Sequence, residues 1–93
     1  MFYVYILFSE LDKKLYTGFS TDLKSRFEKH QNGFVKATKN RRPLKLIYYE
    51  AYVNELDARR REIYLKGGNG KTVLKIQLKE ILGKLGYISP GEV

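Results

Sequence analysis

The chain reads as an α+β domain, a small three-stranded antiparallel sheet flanked by three helices in the order β-β-α-β-α-α. Three observations predict this. Phe2 to Ser9, Leu15 to Ser20 and Leu44 to Tyr52 are short runs rich in branched and aromatic residues, the composition of strands. Only the polar "ELDKK" separates the first two, so they pair as an antiparallel hairpin. The other segments carry helix caps and helical spacing, which places helices against a small sheet.

Each element follows from its residues. "FYVYILFS" is apolar at consecutive positions and reads as a strand buried on both faces. "LYTGFS" returns beside it, with the chain turning at Gly18. Ser20, Thr21 and Asp22 are candidate N-caps for a helix through about Gln31, which has Leu23 and Phe27 as its apolar row. Asn32-Gly33 ends it, because glycine takes the left-handed conformation at low cost. "FVKATKNRRP", from Phe34 to Pro43, has no clean period and reads as a basic loop. In "LKLIYYEAY" both alternating sets are mostly apolar, so both faces of this strand are covered. Asn54 opens a second helix, with Asp57 three residues on as a partial capping box. Gly67-Gly68 stops it. A third helix carries Val73, Leu74, Leu78, Ile81, Leu82 and Leu85 at helical spacing. Residues 1–86 form one domain, and 87–93 are expected to be a loosely held tail.

Composition narrows the function. Ninety-three residues make one domain with a small core. The absence of cysteine excludes disulfides and thiolate zinc sites. No apolar run approaches the roughly 20 residues of a membrane span, and "MFYVYILF" lacks the basic flank and cleavage site of a signal peptide. The expected location is therefore the cytoplasm, with no membrane partner. Eighteen Lys and Arg against ten Asp and Glu give a net charge of +8, a field that favours polyanions, nucleic acid first.

"GGNGKT", Gly67 to Thr72, is not a phosphate loop: the required first glycine is Leu65, and a helix rather than a strand precedes it. One histidine and no cysteine leave oxygen ligands for any metal, which means Mg²⁺ or Mn²⁺. Tyr5 and Tyr16 lie across the hairpin and can share a sheet face, though strand tyrosines are also ordinary packing. Arg26 and His30 are four apart on one helix face, the spacing of a functional pair and equally of a solvated surface. Glu62 sits in a helix row otherwise formed by Ala58 and Leu65. A carboxylate in such a row is paired with a basic group or holds a metal.

In this order the pieces resemble the GIY-YIG nuclease domain, which also occurs in homing endonucleases and in the incision subunit of bacterial excision repair. "YVY" (Tyr3-Val4-Tyr5) stands for the first signature and "YTG" (Tyr16-Thr17-Gly18) for the second. "DLKSRFEKH" resembles the family helix that brings Arg26 and His30, and "ARRREIYLK" the helix that brings a metal-binding Glu62. The first signature lacks its Gly and Ile, Phe19 stands where some members carry Lys, and Asn69 is at a doubtful position for the late family Asn.

The resemblance implies metal-assisted hydrolysis of phosphodiester bonds, with DNA as the expected substrate. One Mg²⁺ (or Mn²⁺) would sit on Glu62, Arg26 would fork onto the phosphate, and Tyr16 would act as general base with Tyr5 orienting. A free tyrosine, with a pKa near ~10, is about one part in a thousand ionised at pH 7. Nearby cations must lower it, and Arg26, His30 and the metal are the candidates. Lys36, Lys39, Arg41, Arg42, Arg59, Arg60 and Arg61 would supply phosphate contacts. The same residues equally suit a binding module that keeps the scaffold without cleavage, or a basic partner of another protein that supplies recognition.

Overall fold

Phe2–Ser9, the strand apolar on both faces, forms β1 at the centre of the sheet. The computed structural model describes residues 1–87, so the expected tail lies outside the described residues except for Tyr87. After β1 come β2 (Leu15–Ser20), α1 (Leu23–Gln31), a 3-10 turn at Lys39–Arg41, β3 (Leu44–Tyr52), α2 (Glu55–Lys66), α3 (Gly68–Gln77) and α4 (Lys79–Leu85). The strands are antiparallel in the order β2-β1-β3. From Val4 to Ser9 every residue of β1 is buried, since strands flank it and helices cover both faces.

One face packs Val4 and Ile6 against Ala58 and Leu65 of α2 and Leu74 of α3. The other packs Tyr5 and Leu7 against Leu44, Leu46 and the Leu23/Phe27 row of α1. The expected cover on both faces of β3 is incomplete, since Tyr49 is 54% exposed and Ala51 is exposed, and a β-bulge accounts for part of the apolar pattern. Ile6 pairs with Tyr48 but Leu7 pairs with Leu46, so Ile47 is one residue too many. The extra residue inverts the phase: Leu44 and Leu46 face α1, whereas Tyr48 and Tyr52 face α2.

Most predicted caps are present. Asp22 accepts from the Ser25 N–H at 3.1 Å, Asn54 accepts from the Leu56 N–H at 2.9 Å, and Gly33 is left-handed at φ 78°. Asp57 pairs with Arg60 at 3.1 Å. The third predicted helix is two helices, giving four in all among the described residues. The break falls at Leu78 (φ −104°, ψ 18°), while Leu74, Leu78 and Leu82 keep one packed row across it. Hydrophobic spacing therefore runs through the kink and does not register it. "GGNGKT" is the α2–α3 junction. A Cβ on Gly70 would come within 1.9 Å of the Tyr64 carbonyl oxygen, so this glycine is what lets α3 lie against the end of α2.

The basic loop is more structured than its sequence implies. Val35 and Thr38 are buried, and the Ser9 hydroxyl donates to the Arg41 carbonyl at 2.6 Å. Arg41 Nε also reaches Asp12 in the hairpin turn at 2.6 Å, and that guanidinium holds the Asp12 carboxyl below its ordinary range. Among the described residues no helix is long and apolar enough to cross a membrane.

Candidate active site

Tyr5 projects from the central strand onto the α1 face, directly opposite Gly18. Gly18 is not a turn. It lies buried within β2, and a Cβ there would sit 2.3 Å from the Tyr5 ring carbon Cζ and 2.4 Å from its hydroxyl oxygen. The glycine of the second signature thus makes room for the tyrosine of the first, whose ring lies across the β2 backbone.

The Tyr5 hydroxyl ends against His30. The oxygen is 2.7 Å from Nε2, and Nδ1 is 2.6 Å from the Thr38 hydroxyl, all three residues being buried. Burial, aided by the charge of Arg26, pushes His30 down to about 4. The ring is therefore neutral at physiological pH and carries a single N–H. Two proton arrangements satisfy the chain: Tyr5 donates to Nε2 while Nδ1 donates to Thr38, or Thr38 donates to Nδ1 while Nε2 donates to Tyr5. His30 consequently supplies no positive charge to a tyrosine, contrary to the expectation from sequence. Because it is a histidine at a helix C-terminus, sequence favours a charged, exposed reading; the hydroxyls and apolar walls that keep it neutral come from distant segments.

Arg26, one turn earlier on α1, is the cation of the cluster. It lies against the Tyr5 hydroxyl, and its buried Nε has no hydrogen-bond partner among the described residues. Burial raises the pKa of Tyr5, Arg26 opposes this, and the Tyr16 and Glu62 charges add to the rise. The net direction is upward, so Tyr5 stays protonated.

Tyr16 completes the ring cluster. Its ring meets that of His30 edge-on at 5.3 Å and that of Tyr5 at 6.5 Å, yet it is only half-buried. Glu62 comes from α2, near enough for its charge to act on Tyr5. Its carboxylate is 3.0 Å from Lys66 Nζ and 4.0 Å from Arg59 Nη1, and its side chain is 14% exposed. Among the described residues no three His, Cys, Asp or Glu gather as a ligand set. One hard carboxylate suits a hydrated Mg²⁺ or Mn²⁺ that takes its remaining oxygens from water and substrate, and Glu62 fits that role. Phe19 points to the α2 face, where the Arg59 guanidinium stacks on its ring at 3.6 Å.

The predicted phosphate contacts divide into two groups. Lys36 and Lys39 are exposed. Arg41 is bound to Asp12, and Arg42 donates to the Lys39 carbonyl at 3.0 Å and the Gln31 carbonyl at 3.3 Å. Arg59 pairs with Glu55 at 3.4 Å, Arg60 with Asp57, and Arg61 with Glu50 at 3.0 Å. Sequence missed Thr38, which has no local signal. It also missed the lysines around a 420 Å³ cleft beside Tyr16, among them Lys14 and Lys71, whose convergence depends on how β2 meets α3.

Residues 1–75 match the family model described as the GIY-YIG catalytic domain. The UPF0213 protein CPE1444 of Clostridium perfringens is 45% identical over 67 residues, 71% of each chain. The UPF0213 protein SSP2268 of Staphylococcus saprophyticus is 39% identical over 75 residues, 80% of this chain and 90% of its own. A solution NMR structure of the UPF0213 protein BH0048 from Bacillus halodurans is 36% identical. It superposes with a TM-score of 0.52, covering 85% of this chain and 86% of that one.

Proposed function

The chain belongs to the GIY-YIG catalytic domain family, and from that premise we propose that it is a metal-dependent endonuclease that hydrolyses phosphodiester bonds in DNA. The observation that carries this reading is Arg26: a guanidinium held beside the Tyr5 hydroxyl with a buried Nε–H that no acceptor among the described residues satisfies. A buried donor left unpaired is costly, and a phosphate oxygen is the acceptor its charge and fork geometry suit.

Tyr16 is the general base. Of the two clustered tyrosines it is the one open to solvent, and it takes the proton of the water whose oxygen attacks phosphorus as the bond to the leaving oxygen breaks. Tyr5, kept protonated by burial and hydrogen-bonded to neutral His30, orients and does not take the water's proton. Arg26 binds the phosphate and stabilises the charge that grows on it in the transition state. Glu62 would hold the divalent ion, which when bound supplies charge neutralisation at the phosphate. A bound ion would compete with Lys66, now 3.0 Å from Glu62, for the carboxylate.

The test is cleavage of a panel of duplex, single-stranded, flapped and branched DNA with Mg²⁺ or EDTA. Cutting is expected with Mg²⁺ alone, reduced at least ~100-fold in Tyr16→Phe, the lower range for losing a general base. Glu62→Gln should lose Mg²⁺ dependence along with activity. No cutting of any substrate, with binding that weakens steeply with salt, would establish the binding module instead.

A further inference from the structure

We infer that the cleft beside Tyr16 seats one unpaired nucleotide adjacent to the scissile phosphate, so that the substrate strand must be single-stranded at that point. The inference rests on the nuclease reading for what lies next to the cleft, though not for the binding itself. The cleft has a volume of about 420 Å³ between β2 and the α2–α3 junction. That lies in the range of pockets that enclose one small-molecule-sized group, and it excludes a double helix. Its floor is apolar, formed in part by Leu15 and Leu74, and Tyr16 and Tyr87 contribute aromatic surface. Lys14, Lys66, Lys71 and Lys75 also line it, Lys66 paired with Glu62 at 3.0 Å and Lys75 lying 5.9 Å from the Tyr87 ring centroid.

An apolar floor with aromatic walls and lysines among its lining is the combination that binds single strands: the flat face of a base stacks within, and phosphates meet the ammonium groups. A base in a duplex offers only its edges, because its faces are covered by its neighbours. Lys14 and Lys71 form no ion pair among the described residues. The arginines expected to contact phosphate are mostly held by carboxylates or carbonyls, as described above. Tyr16 lines the cleft from β2, and its ring also meets His30 edge-on at 5.3 Å, so one residue links the cleft to the tyrosine cluster across the edge of the sheet.

The experiment is salt-dependent binding, measured in EDTA by fluorescence anisotropy, of a short labelled single strand and its blunt duplex. The double variant Lys14→Ala/Lys71→Ala is compared with the equal-charge control Lys79→Ala/Lys84→Ala on α4. Each phosphate contact to a single strand contributes about 0.7 to the slope of log affinity against log salt, so the cleft variant should lose about 1.4. The control should lose clearly less, and duplex binding should respond alike to both variants. Equal losses in the cleft variant and the control, or the same lysine dependence for duplex and single strand, would overturn the inference. Because binding is read without turnover, a protein that cuts while its cleft variant binds like the control refutes the cleft alone. Lysine-dependent binding of single strands without any cleavage refutes the nuclease reading and keeps the cleft as a strand-binding site.

Discussion

The two faces of the sheet each gather tyrosines around a charged helix residue, and they treat that charge in opposite ways. On the α2 face, Arg61 is bidentate to Glu50, with Nε–Oε1 at 3.0 Å and Nη2–Oε2 at 3.1 Å. Tyr48 and Tyr52 both donate to the same carboxylate at 2.5 Å, and Gln77 donates to the Tyr48 oxygen at 3.1 Å. Burial pushes the Glu50 carboxyl up, but Arg61 and the two hydroxyls outweigh it and hold it below its ordinary value. On the α1 face, Arg26 has a hydroxyl and a neutral imidazole for neighbours, and its Nε has no partner among the described residues. The first cluster has neutralised its own charge. The second keeps a half-buried cation whose Nε has no partner among the described residues, a place that an anionic ligand would suit.

The largest expected effect comes from exchanging the two arginines for glutamine. Arg26→Gln should lower cleavage by about 10²–10³-fold, the cost of removing a preorganised charge donor at a reacting centre. Its stability should not fall, because Nε loses no partner among the described residues and removing an unpaired buried donor acts in the stabilising direction. Arg61→Gln should do the reverse. Breaking a buried pair costs about 3–5 kcal/mol, and Arg61, 28% exposed, should fall at about 2–4 kcal/mol with cleavage unchanged in the folded protein. Urea unfolding and a cleavage assay on both variants measure this. If both variants lose stability to the same extent, the two faces do not differ as described.

The next effect is a pH dependence confined to the α1 face. His30 has a folded pKa of about 4 against an ordinary value of 6.5. The unfolded chain therefore binds the proton first, and stability falls as pH drops from about 6.5 toward 4. Over that window the loss reaches on the order of 3 kcal/mol, since one unit is about 1.4 kcal/mol. Thermal melts of the wild type and His30→Gln from pH 7 to 4.5 isolate the contribution. The wild type should lose stability progressively, and the variant should have a flatter profile. Identical slopes would mean that the imidazole is not buried in its neutral form.

These contrasts also mark what could be read from the residues. The hairpin, the helix limits at Asp22 and Asn54, and the doubly covered central strand are local or periodic features, so they are legible in order along the chain. The motifs that carry Tyr5, Tyr16, Arg26, His30 and Glu62 resemble a known family in their order, and the family itself matches over residues 1–75. Other features depend on contacts that no local pattern encodes. The bulge at Ile47 decides which side of the sheet Glu50 faces, yet the residue is an ordinary apolar strand position. Thr38 fixes His30 from a loop that reads only as basic. Arg41 and Arg61 read as phosphate ligands because sequence counts charge but does not show which carboxylate folds against it.

The smallest effect tests how the α1 cluster is held together. In Gly18→Ala the added Cβ would sit 2.3 Å from Tyr5 Cζ, and the Tyr5 ring, 1% exposed and bonded to His30, has nowhere open to move. Forcing a methyl into such packing costs about 1–3 kcal/mol. If the cost arises from the ring alone, it should largely vanish in a Tyr5→Ala background, where the space is already empty. A double-mutant cycle in urea therefore separates the two explanations for the glycine. A coupling close to the full cost of Gly18→Ala identifies it as the seat of the Tyr5 ring. Equal penalties with and without the ring would instead place the constraint in the β2 backbone, and the second signature would then owe its glycine to the strand rather than to the tyrosine cluster.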